Sequence, residues 1–509
     1  MAVRQMLGLL LALTVTVLMS IAVAQERVVV AQGTDAVTLD AHDITDSPSA
    51  SVSTHMVETL FKLQPDGTID PWLATDFELS DDGLTLTLQL REGITFHDGT
   101  LFDAEAVKFN IERLTDPEEG FAFAFLLDVV DTVEVLGDHS VALHLSDPFA
   151  PLLANLTHSS TAMQSPTAIE ELGEDYGQNP VGTGPYRFSS WERGQHIDMV
   201  RFEEYWGELP PIEEVRFLAV PEGTTRMALV ETGEAHVSVR VPPADVDRLQ
   251  ANPDVTVDNT SSVRTIYIYF NHTMEPFTDE RVRQAVNYAV NKEDIVDFVL
   301  GGEARVSDAP ISPGIFGYTP VGSYEYDPER ARELLAEAGY EDGFSTTLYS
   351  PTGRYNQDIQ ISEAVQSQLA EVGIDAEIET LEWSAYLSIT GEAVEDNVVP
   401  MGMLGWGTVT GDADYGLFPL FTTGQHVPDG SNRSFYSNPE VDELLGEARV
   451  NPDPEARQEL YEQAMQILWD EAAWLYLHSE SQVTAIRNDI EGVIVHPTER
   501  ILVYEAFFR

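Results

Sequence analysis

The 509-residue chain contains no cysteine and only three lysines. Without cysteine there is no disulfide framework, no thiol nucleophile and no residue that could carry an N-terminal lipid anchor. The shortage of lysine leaves 27 basic residues against 86 acidic ones, a formal net charge of −59. So large a negative charge repels other polyanions, and it therefore argues against nucleic acid or an anionic membrane as a partner.

The acidic residues are dispersed along the chain, and 43% of all residues are hydrophobic. This composition is typical of a folded protein with a solvated acidic surface rather than of a disordered chain. We interpret the charge as an adaptation to a saline exterior, with a cation-binding surface as the alternative. Stability that depends on salt is therefore expected.

Several catalytic and metal-binding motifs are also missing. The chain has no Gly-x-Ser-x-Gly and no His-Glu-x-x-His sequence, which disfavours a serine hydrolase and a zinc peptidase. Asp412-x-Asp414 resembles the start of a calcium loop. The glycine and the bidentate acid that such a loop needs would fall on Leu417 and Thr423, so that interpretation fails. We expect no enzyme activity, cofactor or metal.

The N-terminus has the features of an export signal. Arg4 precedes an apolar run from Met6 to Ala22, and Ala22-Val23-Ala24 places small residues at a cleavage position. These features predict a secretory signal peptide over residues 1–24, with a membrane anchor as the alternative. The mature protein is then expected in the periplasm, and not as a lipoprotein.

Strand and helix patterns alternate along the rest of the chain. Leu84, Leu86, Leu88 and Leu90 alternate with polar residues, as in a half-buried strand. The next segment, 102–114, has the spacing of an amphipathic helix. Val107, Ile111 and Leu114 are its predicted core residues.

Further elements follow the same alternation. Helices are predicted over 224–231, 279–288, 327–338, 359–372 and 454–471, and strands over 28–30, 133–145 (a hairpin), 215–220, 266–270 and 375–380. Gly339 and Gly373 stand where two helices should end. The alternation indicates an α/β fold, and the length of the chain indicates two or three domains.

Ordered motifs extend across this pattern. The segment LATDFELSDDGLTLTLQLREGITFHDGT spans residues 73–100, and PVGTGPY, RFEEYWG and VRQAVNYAV begin at Pro180, Arg201 and Val282. In this order they closely resemble the family 5 extracellular solute-binding proteins, the peptide-, nickel- and glutathione-binding receptors of ABC importers.

The resemblance implies an α/β, two-lobed periplasmic binding protein fold (class II-like, cluster C) with an additional small domain. Lobe I would comprise residues 25–65, 180–271 and 480–509, the small domain 66–179, and lobe II 272–479. A monomer of this kind would capture a ligand between its lobes and deliver it to the permease subunits of the importer.

The resemblance also implies a carboxylate-binding arginine. Arg354 precedes a predicted helix, and in peptide-binding members an arginine at the matching place holds the ligand carboxylate. A guanidinium suits that role because it donates two parallel hydrogen bonds. The alternative is an ion pair with Asp358 or Glu363. The adjacent Tyr355 is included among the candidate ligand-binding residues.

A second candidate segment runs from Met403 to Tyr415. Gly405 would let backbone groups approach a ligand, and Trp406 would cover an apolar group. Dipeptide-binding relatives have an aspartate three residues after this tryptophan, whereas this chain has Val409. Asp412 or Asp414 is expected to supply the missing charge. The acid-Ala-Asp order more closely resembles the glutathione-binding members.

Three further places complete the predicted site. Arg433 is a second candidate cation for a carboxylate, with a surface ion pair as the alternative. Thr183 lies in a Gly-Thr-Gly turn that either lines the cleft or lets backbones pack. The loop at 45–47 reaches the cleft in relatives.

Three functions are compatible with these residues. A binding protein for peptides or glutathione-like ligands is the first interpretation. The same receptor fold binding an oligosaccharide or a metal chelate is the alternative, and a secreted hydrolase is the weakest.

Overall fold

The structure, a computed structural model, describes residues 27–509. Its centre is a mixed sheet of eleven strands. In spatial order these are Ile374–Leu381, Phe344–Pro351, Met401–Gly407, Val255–Phe270, Trp474–Arg487, Val237–Ser238, Arg27–Gln32, Glu214–Ala219, His196–Arg201 and Tyr186–Glu192, and Ala304–Val306 pairs with Trp474–Arg487.

Two long antiparallel strands, Val255–Phe270 and Trp474–Arg487, run through the middle of this sheet. Their register shifts between Ser261 and Thr265. The sequence predicted only the apolar end of the first strand, since residues 258–262 are all polar. Pairing with a neighbour strand supplies the hydrogen bonds that continue the strand through this polar stretch.

A separate four-stranded antiparallel sheet is formed by Ala74–Leu79, Thr85–Leu90, Ser140–Leu145 and Val130–Gly137, in that order. Helix Ala104–Thr115 packs against it, capped by the Asp103 carboxylate, which accepts a hydrogen bond from the Ala106 amide. Of the predicted core residues of the strand and the helix, six are buried: Leu86, Leu88, Leu90, Val107, Ile111 and Leu114. Leu84 is only half-buried, because the strand begins after it, at Thr85.

Most predicted helices are present with ends shifted by one or two residues. The α-helices of four residues or more are Ser47–Ser53, Ala104–Thr115, Leu152–Asn155, Pro166–Leu172, Gly223–Thr232, Pro243–Gln250, Glu280–Ala289, Pro328–Glu337, Asp358–Glu371, Trp383–Thr390, Ala413–Phe421, Pro439–Val450 and Pro454–Asp470. Gly339 and Gly373 adopt φ of 92°, as their helix-end positions require.

The apolar cores of the described residues fall into separate groups. One group surrounds Val28 and Phe217, another surrounds Ile266 and Leu477 on the far side of the register shift, and a third belongs to the four-stranded sheet. On this basis we propose the same three-part division, with the lobes joined through the two long strands. The predicted signal peptide, residues 1–24, lies outside the described residues. No helix within residues 27–509 is long and apolar enough to cross a membrane.

Buried histidines should make stability fall in mild acid. Burial lowers the pKa of seven of them from about 6.5 to about 4 (His42, His55, His97) or about 3 (His158, His272, His478, His496). Below pH 6.5 the unfolded chain binds protons that the folded protein does not, so the free energy of unfolding decreases as pH falls from about 6.5 towards 4.

Denaturant midpoints at pH 7.5, 6 and 5, in constant high salt, would measure this slope. Asp414 works in the opposite direction, because burial raises its pKa to about 6. Burial also raises the pKa of six other carboxyls, which act in the same direction as Asp414: Asp43, Glu58, Asp128, Glu280, Asp358 and Glu480. The histidines should dominate at the start of the titration, because in the unfolded chain they bind protons near pH 6.5 whereas carboxyls do so near pH 4. A midpoint that stays level or rises between pH 6.5 and 5 would contradict the prediction.

Candidate functional site

A cavity of about 330 Å³, here called the interlobe cavity, receives lining residues from both proposed lobes. One side is formed by residues 44–47 and 50 with residues 498 and 500, and the other by residues 354–355, 383, 404–407, 409, 431 and 433. Residues 122–123 and 157–159 of the proposed small domain also line it. Its volume lies within the range of about 300–1,000 Å³ usual for small-molecule sites. The predicted loop at 45–47 therefore lines this cavity.

Four arginines line the interlobe cavity: Arg264, Arg354, Arg433 and Arg500. Asp46 is the one carboxylate among the described lining residues, and it accepts hydrogen bonds from the Ser49 amide and hydroxyl. In a chain with a net charge of −59, this cavity carries an excess of positive charge. Such a site attracts an anion.

One of the four arginines is already neutralised. Arg264 donates from Nε to Glu499 at 2.5 Å and from Nη2 to the second Glu499 oxygen at 3.0 Å. It also donates to the Gly405 carbonyl and the Ser47 hydroxyl. The guanidinium holds the pKa of Glu499 far below its usual range despite burial. Arg264 thus ties both sides of the cavity together.

The other three arginines have no ion-paired carboxylate within residues 27–509. Arg433 donates from Nε to the Thr390 hydroxyl at 3.3 Å, and Arg500 from Nε to the Thr498 hydroxyl at 2.8 Å. The buried Nε of Arg354 has no hydrogen-bond partner in the described part of the chain. Three guanidinium groups are therefore available to a bound anion.

Arg354 is positioned by a tight turn that ends strand Phe344–Pro351. Asp358 accepts hydrogen bonds from the amides of Arg354 and Tyr355, at 2.8 and 3.2 Å. That carboxylate orders the backbone and forms no ion pair with the guanidinium, which lies 5.0 and 5.1 Å from the ring centroids of Tyr355 and Trp383. Burial lowers the pKa of Arg354, as is usual for a cation removed from water.

Gly405 and Trp406 lie beside it on strand Met401–Gly407. A Cβ atom at Gly405 would lie 2.5 Å from the Ile266 side chain and 2.8 Å from the Tyr355 ring, so any larger residue would require these side chains to shift. The Trp406 indole donates to the Tyr415 carbonyl at 2.9 Å, which fixes the ring at the cavity wall. The structure thus brings together Arg354, Tyr355, Gly405, Trp406 and Arg433 of the predicted site.

Asp412 and Asp414 are placed elsewhere. Arg457 Nη2 lies 2.8 Å from both carboxylate oxygens of Asp412, and Arg449 Nε lies 3.2 Å from Asp414. Both acids are buried and neither lines the interlobe cavity. The chain turns away after Trp406 at Gly411, where φ is 76°, so closeness in sequence to the tryptophan does not become closeness in space.

Thr183 is also outside the interlobe cavity, since its buried hydroxyl donates to Glu58 at 2.8 Å. Cβ atoms at Gly182 and Gly184 would lie 2.3 and 2.7 Å from the backbone of residues 55–56. The sequence left two roles open for the Gly-Thr-Gly turn, lining the cleft or allowing close backbone packing. The structure places it in close backbone packing.

The sequence analysis did not select several lining residues, among them Arg264, Arg500, His158 and Trp383. Arg264 had one usable feature, a cation at the start of an apolar strand segment in a chain poor in cations. The others have no distinctive local pattern. They converge only because the strands and loops that carry them meet at this cavity.

The chain is similar in sequence to known solute-binding proteins. The model of bacterial extracellular solute-binding proteins, family 5, matches residues 68–427. A glutathione-binding protein GsiB from Pectobacterium atrosepticum is 34% identical over 93% of this chain and 92% of its own. The GsiB of Shigella flexneri is 35% identical over 96% of this chain and 95% of its own.

Solved structures show the same fold. The periplasmic binding protein DppA from Helicobacter pylori, in complex with the peptide STSA, is 28% identical with a TM-score of 0.86. The match covers 95% of this chain and 98% of that one. A dipeptide-binding protein from Pseudoalteromonas, in complex with Met-Leu, is 25% identical with a TM-score of 0.87, covering 95% and 100%.

Proposed function

The chain belongs to the bacterial extracellular solute-binding proteins of family 5, and from that premise we propose that it binds glutathione or a similar acidic peptide between its lobes. The observation that carries the ligand class is the set of three arginines in the interlobe cavity that lack a carboxylate partner within residues 27–509. Glutathione has two carboxylates, and relatives over nearly the whole chain are named for binding it.

Each part of the cavity has a role in this proposal. Arg354 and Arg433 donate paired hydrogen bonds to ligand carboxylates, an arrangement in which charge and geometry reinforce each other. Asp46 is the carboxylate available to a ligand ammonium group, in place of the aspartate that Val409 replaces. Trp406 covers the ligand backbone. Exclusion of water on lobe closure strengthens these contacts.

The protein in this proposal acts without catalysis, as a periplasmic monomer exported by the segment 1–24. Ligand binding stabilises the closed arrangement of the lobes by the difference in affinity between the two arrangements. The closed form then presents the ligand to the permease subunits of an ABC importer. An oligosaccharide is a poorer fit, because three cations without counter-charge favour an anion over a neutral sugar.

Thermal unfolding of ligand-stripped protein tests the ligand class. Reduced glutathione at about a hundred times its dissociation constant should stabilise the protein by about 2.7 kcal/mol. Glutathione diethyl ester, which lacks both carboxylates, is the matched control and should give no shift at the same concentration. Equal shifts with acid and ester, or shifts with oligosaccharides alone, would reject an acidic peptide as the ligand.

A further inference from the structure

A second and larger cavity, of about 630 Å³, lies beside the interlobe cavity. We call it the aromatic chamber, because Trp72, Tyr205, Trp206 and Tyr504 are among its lining residues. Its walls come from proposed lobe I and the small domain. The two cavities share Thr157, Ser159 and Arg500 as lining residues, so the chamber continues the site already described.

One buried carboxylate fixes the aromatic walls. Glu58 accepts hydrogen bonds from the indoles of Trp72 and Trp206, both at 2.9 Å, and from the Tyr205 hydroxyl at 2.7 Å. The Thr183 hydroxyl donates to it as well. Since these donors are all used within the wall, the three rings offer mainly carbon surface to the chamber. Carbon surface of this kind favours an apolar group.

Two cations in the chamber lack a counter-charge within residues 27–509. Lys62 Nζ lies 4.5 Å from the Trp72 ring centroid and 5.0 Å from that of Tyr504, and it has no hydrogen bond or ion pair to any described residue. Arg500 donates only to Thr498. The other acids that line the chamber, Glu208 and Glu505, are exposed to solvent and paired with neither cation.

We propose that the aromatic chamber is a second ligand subsite, which takes the apolar side chain and the C-terminal carboxylate of a peptide longer than glutathione. The carboxylate lies between Lys62 and Arg500, and the apolar side chain lies among the aromatic rings. The rest of the peptide passes the shared residues and places an acidic group at Arg354. This inference rests on the proposed function and extends it to longer ligands.

Calorimetry with a peptide series tests the chamber. The peptides begin with Glu, end with Phe and contain one to four glycines between, each prepared as the free acid and as the C-terminal amide. In the wild-type protein, the acid of every peptide long enough to reach the chamber should bind at least about tenfold more tightly than its amide, the size expected of a charged hydrogen bond.

Lys62→Gln should remove most of that preference, bringing acid and amide to within about threefold, and leave glutathione affinity within about twofold of wild type. Lys108→Gln is the matched control, since Lys108 forms a surface ion pair with Glu112 away from both cavities. Thermal unfolding of both variants checks their folding. The acid–amide comparison in wild-type protein stands by itself if Lys62→Gln does not fold.

The experiment distinguishes failure of the chamber proposal from failure of the proposed function. If glutathione binds, but the free acid and the amide of every peptide bind with equal affinity, the proposed chamber subsite is wrong and the proposed function stands. The same holds if Lys62→Gln weakens glutathione and the long peptides equally. Absence of binding by glutathione and by the entire series would overturn both proposals.

Discussion

Replacing Arg354 with methionine should weaken glutathione binding by about 2–5 kcal/mol, the cost of removing one partner from a desolvated charge pair. The ligand carboxylate would be left in the cavity without its paired donors. Methionine keeps much of the volume of the arginine stem. The glutathione affinity of Arg354→Lys should fall between those of the wild type and Arg354→Met, because lysine retains the charge but not the planar fork of the guanidinium. Titration calorimetry of the three proteins measures the series.

The same substitution should leave the ligand-free protein as stable as before or more stable. Arg354 is half-buried, its buried Nε has no hydrogen-bond partner and its guanidinium has no carboxylate partner in residues 27–509, so its removal relieves part of the cost of keeping a cation out of water. Arg305→Met is the control for loss of an arginine, since Arg305 pairs with Asp308 at the surface. If Arg354→Met binds glutathione as tightly as wild type does, the assignment of Arg354 as a ligand-binding residue is wrong.

Replacing Asp412 with asparagine should have the opposite profile. The Arg457 guanidinium would lose its buried counter-charge, and removing one partner of a buried pair typically costs about 3–5 kcal/mol of unfolding free energy. Asparagine can still accept the hydrogen bond from the Asp414 amide that caps helix Ala413–Phe421, so the change isolates the charge. Glutathione affinity, measured where the variant is folded, should stay within about twofold of wild type.

Denaturant unfolding of Asp412→Asn, Arg457→Met and the double variant measures the coupling of the pair. The double variant should be more stable than the sum of the single effects predicts, because it leaves no unpaired charge. Additive losses would show that the two groups do not interact. If Asp412→Asn binds glutathione more weakly than wild type but is equally stable, Asp412 belongs to the ligand-binding site after all.

Local pattern was sufficient for elements whose burial follows from their own sequence. The alternation around Leu88 and the spacing of Val107, Ile111 and Leu114 predicted the strand, the helix and their buried faces, because period-2 and helical spacing place side chains on one side of an element. Only the apolar part of the long strand Val255–Phe270 was predicted, because strand formation over its polar residues depends on the partner strand.

The sequence by itself determined the α/β elements, the family, and an arginine and a tryptophan, Arg354 and Trp406, that line the interlobe cavity. Only the tertiary structure decided that Asp412 faces Arg457 and that Arg264 and Arg500 join the cavity. The physical reason is that the partner of a charged group is set by which distant segments pack around it. Asp412 and Arg457 are 45 residues apart, and nothing in the spacing of either segment encodes that contact.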